Sequence, residues 1–174
     1  MKDYIFTSES ITEGHPDKIC DSIADAILDE ALRQDPYSNM AVEATIKDDF
    51  VLIYGEADTK AHIDYETIAK NVIRKIGYEE DYTVMVKVNK QSSEIHHAVN
   101  HENDEVGAGD QGMMFGYATS ETHEMLPLPY VLACEALDRL RDRGAGCLLP
   151  DAKCQVTFDY GKHRIDTFLI STQH

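Results

Sequence analysis

The chain has 174 residues, and its 16 basic and 32 acidic side chains give a formal charge of −16. This length suits one domain or two small ones, and a compact fold of it buries roughly 70% of the unfolded surface. An acidic chain without a basic stripe argues against nucleic acids and anionic membranes as partners, and a polyanionic substrate would require metal ions or positive charge from elsewhere.

The cysteines and the hydropathy of the chain indicate the cellular compartment of the protein. No stretch has the length of a membrane span, and the N-terminus has no apolar core of a secretion signal. The cysteines form no C-x-x-C pair, and two of them fall inside apolar helical or strand patterns, as reduced packing thiols do. They are Cys20, Cys134, Cys147 and Cys154. A cytoplasmic protein is therefore expected.

An amphipathic helix is predicted from about Pro16 to Arg33. Apolar residues recur there at helical spacing, and proline is tolerated in a first helical turn. The opposite face carries aspartates four residues apart, and we interpret Asp21, Asp25 and Asp29 as a solvated stripe. Asp17 differs from them because it lies in the first turn beside His15.

The next segments complete a repeating unit. Alternation over Met40–Ile46, a turn at Asp48–Asp49 and a second apolar run over Phe50–Tyr54 predict a β-hairpin. An amphipathic helix over Tyr65–Ile76 and a strand over Thr83–Val88 follow. The order is helix, strand, strand, helix, strand.

The second half begins in the same way. A helix is predicted to open at Pro129 and to stop at Gly144, with arginines at its C-terminal end, and strands are predicted over Cys154–Tyr160 and Ile165–Ser171. No counterpart of the second helix and last strand follows. The predicted fold class is therefore α+β, built from repeated helix and β-hairpin units of which the second is incomplete.

A glycine-rich loop, Gly107–Gly112, reads GAGDQG and formally fits G-x-G-x-x-G. The dinucleotide fingerprint requires a hydrophobic strand before it and a helix after it. Here the preceding residues 101–105 are polar and acidic, and Met113–Tyr117 resembles a strand. Asp110 would also place a carboxylate against any phosphate. The loop is therefore not a dinucleotide site, whereas a plain turn remains possible from these residues alone.

Two polar clusters are candidates for a chemical role. His15 and Asp17 lie at a predicted helix N-terminus, where free backbone N–H groups favour an anion and a carboxylate can hold Mg²⁺. The alternative is ordinary helix-start chemistry. In the hairpin, an even turn places Glu43 opposite Tyr54 and Glu56 diagonally beyond it, so that the two carboxylates lie roughly 7–8 Å apart on one face. They either line a cation site or face solvent.

Other polar segments are less specific. Residues 91–105 form a polar stretch without periodicity, which is typical of a mobile lid or a link. Its histidines, His96, His97 and His101, do not have the spacing of a zinc site. Lys153 follows Pro150 and precedes a strand, so it is either a surface residue or a phosphate contact.

Six short segments occur in the order found in the S-adenosylmethionine synthetase family. The chain resembles this family over essentially its whole length, and six collinear segments are much more specific than any one of them. The segments are Phe6–Ser10, Gly14–Lys18, Lys90–Ser92, the glycine loop through Thr119, Asp151–Lys153 and Ser171–His174.

The resemblance implies an enzyme that converts methionine, ATP and water to S-adenosylmethionine, phosphate and pyrophosphate, with Mg²⁺ and K⁺ as cofactors. His15 resembles the residue that stabilises the leaving oxygen, and Lys153 is implied as a second catalytic residue on the polyphosphate. Asp151 and Ala152 belong with Lys153 to a segment similar to part of the ATP site. Asp17 resembles a Mg²⁺ ligand, and Glu43 resembles the glutamate associated with K⁺.

The resemblance also implies methionine contacts and a domain layout. Glu56, Gln91 and Asp110 resemble residues at the methionine site, where carboxylates suit the ammonium group of the substrate. The implied layout is an N-terminal domain over residues 1–100, with a mobile lid at about 91–105, and a truncated central domain over residues 106–174.

The chain departs from the family at a few positions and in its length. Ser93 stands where the family usually has proline, and residues 143–150 lack a common tryptophan. The family's chains continue for a comparable length, with a third unit, further metal ligands and an Arg/Lys cluster for the triphosphate.

The implied small-molecule partners are ATP and methionine. The implied protein partner is either a copy of the chain, in a homodimer or higher oligomer, or a separately encoded second half. The chain is therefore either part of a synthetase that is inactive by itself or a non-catalytic fragment that binds a ligand or partner.

Overall fold

The computed structural model describes residues 4–90, 112–143 and 147–174. Helices and strands alternate irregularly along the chain, which confirms the α+β class. The elements are β1 (Ile5–Ile11), α1 (Pro16–Gln34), β2 (Asn39–Lys47), β3 (Phe50–Asp58), α2 (Tyr65–Ile76), β4 (Thr83–Lys90), α3 (Leu128–Arg143), β5 (Ala152–Asp159) and β6 (Arg164–Thr172). Within the described ranges, no helix has the length and apolar character needed to cross a bilayer.

The chain divides into two compact units that do not follow the sequence in order. We call residues 1–18 with 116–174 the split unit, and residues 19–115 the contiguous unit. The division predicted from the sequence, residues 1–100 and 106–174, instead groups the first 18 residues with the rest of the N-terminal half. In the structure, β1 pairs antiparallel with β5, from Ile5 opposite Asp159 to Ile11 opposite Lys153. This pairing joins the first residues of the chain to its last third.

The contiguous unit has a sheet in the order β2-β3-β4. The hairpin register is the predicted one, since Lys47 lies opposite Phe50 across the Asp48–Asp49 turn and Glu43 lies opposite Tyr54. Strand β4 runs parallel to β3, so α2 forms the crossover between them. Most buried residues come from α1, β3 and α2, and they form one cluster with Tyr82; they include Ile19, Ile23, Ile27, Val51, Ile53, Ala69 and Ile73.

Local hydrogen bonds explain why α2 has the predicted bounds. The Asp64 carboxylate accepts the backbone N–H of Thr67 at 3.1 Å and its hydroxyl at 2.8 Å, which caps the helix. The backbone bond from Thr67 is the larger cause that lowers the pKa of Asp64 below its usual value. The helix ends before Gly77, whose N–H bonds the Arg74 carbonyl at 3.1 Å. Capping therefore defines this element at both ends.

The split unit has a sheet in the order β1-β5-β6, with α3 packed against β1 and β5. Its core combines one face of α3 with alternate residues of β5, as the sequence pattern predicts for Cys154–Tyr160. The buried cluster is Ala133, Leu137, Ala152, Cys154 and Val156. Because these β5 residues face α3, the intervening residues, including Lys153, point to the other face of the sheet.

One prediction for the split unit is wrong, and one of its strands was missed. Residues 113–117 do not form a strand: they have no regular structure, and the side chain of Phe115 is 90% exposed. The run is apolar but pairs with no neighbouring strand among the described residues. The first strand, β1, was not predicted, since its side chains are mostly exposed and show no apolar alternation. The predicted stop at Gly144 lies outside the described residues.

Candidate active site

The turn between β1 and α1 carries His15 and Asp17. The backbone N–H of His15 bonds the Thr12 carbonyl at 3.1 Å, which closes the turn. His15 Nδ1 then accepts the Asp17 backbone N–H at 3.3 Å, so the ring caps the first turn of α1. A nitrogen that accepts a hydrogen bond carries no proton, which leaves the proton on Nε2. This hydrogen bond assigns the one N–H donor of the neutral ring to Nε2.

The same Nδ1 lies 3.9 Å from the Asp17 carboxylate, a distance that fits an ion pair only if the ring is protonated. The two contacts of Nδ1 thus imply opposite protonation states. We favour the hydrogen bond to the backbone, because it is shorter and because the Asp17 side chain is 88% exposed and screened by water. Asp17 is then free to meet a cation at the start of the helix.

Thr12 and Gly14 hold this turn against the segment that precedes β5. The Thr12 hydroxyl donates to the Pro150 carbonyl at 2.6 Å and accepts the Ala152 backbone N–H at 2.6 Å. The Thr12 backbone N–H bonds the Ala152 carbonyl at 2.9 Å. At Gly14, a side-chain carbon would lie 2.6 Å from the Pro150 carbonyl oxygen, so only glycine permits this approach. The two predicted motifs are therefore brought together within the split unit.

Lys153 is the second residue of strand β5 and lies on the face of the sheet opposite α3. Its Nζ forms an ion pair with Glu9 of β1 at 2.8 Å, and the Lys153 side chain is 43% exposed. Asp151 and Ala152 precede it; the Asp151 carbonyl accepts the Gln173 N–H at 2.9 Å, and Ala152 is buried. The backbone of this segment is thus held on both sides while the lysine head stays accessible. An ammonium group in this setting can exchange its glutamate partner for an anionic ligand.

The cation-binding capacity of the described residues is small. Among them, no group of three or more His, Cys, Asp or Glu side chains has the arrangement of a metal site. Asp17 offers one carboxylate. This fits Mg²⁺, which commonly takes one or two carboxylates and completes its shell with phosphate oxygens and water.

Glu43 and Glu56 lie in the contiguous unit, on the exposed face of the hairpin. Glu43 is directly opposite Tyr54, and Glu56 is opposite Ala41, as the predicted register requires. Both glutamates are exposed, whereas Val51 and Ile53 of the same hairpin are buried on the other face. The diagonal placement of the two carboxylates is confirmed, and their roles stay predictions.

Gln91 and Asp110 lie outside the described residues, as do the predicted lid at 91–105 and all but the last residue of the glycine loop. Glu9, Thr12 and Gly14 were not predicted as functional side chains. Each lies in, or within two residues of, a segment that carries the family resemblance, and this was the signal that could have found them. Their contacts with Lys153, Pro150 and Ala152 depend on the pairing of β1 with β5.

Comparison with known proteins identifies the family. The sequence model described as S-adenosylmethionine synthetase, N-terminal domain, matches residues 3–122, and the one described as the central domain matches residues 105–174. An S-adenosylmethionine synthase of Prochlorococcus marinus (strain MIT 9301) is 45% identical over 197 aligned positions. That alignment covers 100% of this chain and 48% of the relative.

A helix-and-hairpin α+β chain that carries these motifs in this order agrees with both matched domains. The chain belongs to the S-adenosylmethionine synthetase family. It spans about half the length of the curated relative that it matches.

Proposed function

We propose that this chain supplies the N-terminal part of a methionine adenosyltransferase and holds the triphosphate of ATP in its split unit. The observation that carries the proposal is the joining of the His15 turn to the Asp151–Lys153 segment through Thr12. A helix N-terminus, an imidazole N–H and an ammonium group then belong to one compact unit. These are the donors that a departing polyphosphate requires.

In the proposed reaction, the thioether sulfur of methionine attacks C5′ of the ATP ribose, and the C5′–O bond breaks. The bonding electrons leave with the triphosphate, which water then cleaves to phosphate and pyrophosphate. His15 donates its Nε2–H to the leaving oxygen, and Lys153 stabilises the charge on the phosphates. No covalent intermediate with the enzyme is needed, so catalysis depends on alignment and on charge stabilisation.

The proposed cation sites use single carboxylates of this chain. Asp17 would hold Mg²⁺, and Glu43 would associate with K⁺. Bound cations supply positive charge that offsets the triphosphate and the acidity of a chain with a formal charge of −16. The residues fit this use because both carboxylates are exposed and, within the described residues, neither forms an ion pair with lysine or arginine.

We further propose that Glu56, Gln91 and Asp110 contact methionine, with carboxylates facing its ammonium group, and that residues 91–105 cover the site. The division into residues 1–100 and 106–174 is retained as a proposal about domains. A homodimer or higher homo-oligomer, or a second chain with the remainder of the synthetase, is the proposed partner. The proposed compartment is the cytoplasm.

The activity of this chain by itself is expected to be negligible, because the match covers 48% of the relative's length. The test compares the purified chain with a fusion of the chain to the part of the Prochlorococcus relative that lies beyond the match. Both are assayed for S-adenosylmethionine with ATP, methionine, Mg²⁺ and K⁺. The fusion should form product, and a His15→Asn version should lose most of it.

Sustained product from the chain alone would contradict the proposed division of function. A folded fusion without product would instead favour the alternative, a non-catalytic fragment that binds ligand or partner.

A further inference from the structure

One hydroxyl group fastens the end of β1 to the segment before β5. Regular pairing between these strands ends at Ile11 opposite Lys153, and Thr12 is the next residue. Its hydroxyl makes two short bonds, as donor to the Pro150 carbonyl and as acceptor from the Ala152 N–H, each at 2.6 Å. The Ala152 carbonyl is a further, longer acceptor at 3.2 Å. A threonine hydroxyl can donate and accept at once, which this position uses fully.

The approach of the two segments is close as well as hydrogen-bonded. Gly14 lies against Pro150 so tightly that a side-chain carbon there would overlap the proline backbone. His15 follows Gly14 directly, and its N–H bonds back to the Thr12 carbonyl at 3.1 Å. On the other segment, Lys153 follows Ala152 directly. Thr12 therefore lies three residues before His15, and its partners Pro150 and Ala152 lie three residues and one residue before Lys153. His15 and Lys153 are the two groups assigned to the triphosphate.

We propose that Thr12 is a positioning residue for triphosphate binding, since its hydroxyl fixes His15 and Lys153 relative to each other. This inference rests on the proposed function of the split unit. Thr12 acts through other residues and does not itself touch the substrate: both of its short bonds are made to backbone groups of this chain. Its effect is to keep two donors in one arrangement before the ligand arrives, which lowers the entropy cost of binding.

The test measures binding of inorganic triphosphate with Mg²⁺ to the 174-residue chain by calorimetry. Thr12→Val keeps the shape and removes the hydroxyl, and we expect affinity to fall on the order of ten-fold. Thr12→Ser retains the hydroxyl and should stay within about three-fold of the wild type. Thr7→Val is the matched control, because Thr7 lies in the preceding strand β1 and, among the described residues, its hydroxyl bonds only the Thr157 hydroxyl, at 2.9 Å.

Rescue by serine separates positioning from a merely structural role, because the methyl group lost in Thr12→Ser contributes to packing but not to these hydrogen bonds. Wild-type affinity in a folded Thr12→Val would overturn the inference. If Thr12→Val does not fold, hydrogen exchange of the wild-type Ala152 amide decides: slow exchange supports the bond to Thr12, and exchange at the rate of an open amide overturns it. A wild-type chain that does not bind triphosphate would instead contradict the proposed function itself.

Discussion

Replacing Gly55 with alanine is expected to destabilise the contiguous unit by on the order of 4 kcal/mol, which combines backbone strain and steric overlap. Gly55 has φ 136°, a conformation that residues with a side chain rarely adopt. A side-chain carbon there would also overlap the carbonyl oxygen of Ala41 on the neighbouring strand. Urea denaturation followed by circular dichroism measures the change in the free energy of unfolding.

Gly112→Ala is the matched control in the same unit. Among the described residues, a side-chain carbon at Gly112 would meet only the terminal carbon of the exposed Met114 side chain, at 3.4 Å, and that side chain can move aside. The control should change the free energy of unfolding by no more than about 0.5 kcal/mol. Equal stability of Gly55→Ala and Gly112→Ala would contradict the strand geometry described for the hairpin.

Gly55 also bears on the candidate cation and methionine residues. It lies between Tyr54, which faces Glu43, and Glu56, so its close approach to β2 defines the part of the sheet that carries both glutamates. A register shift by one residue would turn these side chains to the other face. A destabilised hairpin should therefore lose the local arrangement of the two carboxylates as well as stability.

Lys153→Met is expected to weaken binding of Mg²⁺ and triphosphate on the order of ten- to a hundred-fold, the usual range for losing a hydrogen bond to a charged group. The same substitution should change the free energy of unfolding by less than about 1 kcal/mol, because the pair with Glu9 is half exposed and such pairs contribute little. Calorimetric titration measures the first quantity, and urea denaturation the second. A loss of affinity without a loss of stability identifies a ligand contact.

Lys162→Met is the matched control for charge. Lys162 lies in the turn between β5 and β6 in the same unit, its side chain is 67% exposed, and it pairs with Asp159 at 3.3 Å. The control removes one positive charge at a different place and should change triphosphate affinity by about two-fold or less, because exposed charges act weakly through salt solution. Equal losses in the two variants would show a general charge effect instead of a site at Lys153.

Local patterns predicted the elements whose stability depends on local features. The two-residue turn at Asp48–Asp49 gave the hairpin register, and the periodicity of α1 and α2 gave their bounds within about one residue. Strand β1 was missed because it has few buried residues and its partner β5 lies more than a hundred residues later in the chain. The apolar run at 113–117 gave a false strand, since an apolar run does not create a partner for hydrogen bonding.

The residues of the candidate site also divide into those that have a local sequence signal and those that depend on a distant contact. His15 and Asp17 were predicted because a helix start has its own local chemistry, and Lys153 because it adjoins a segment similar to an ATP site. Thr12, Gly14 and Glu9 could not be predicted, since each acts through a contact across the β1 and β5 pairing. A hydroxyl that bonds distant backbone groups has no local signature in a sequence.

The central claim is that the His15 turn and the Asp151–Lys153 segment form one binding face for the triphosphate of ATP. The most direct test is a titration of the ¹⁵N-labelled chain with inorganic triphosphate and Mg²⁺, followed by the amide signals in NMR spectra. Saturable shifts should concentrate on the amides of Gly14, His15, Asp17, Ala152 and Lys153. Saturable shifts on only one of the two segments, shifts confined to other residues, or no shifts would contradict the claim.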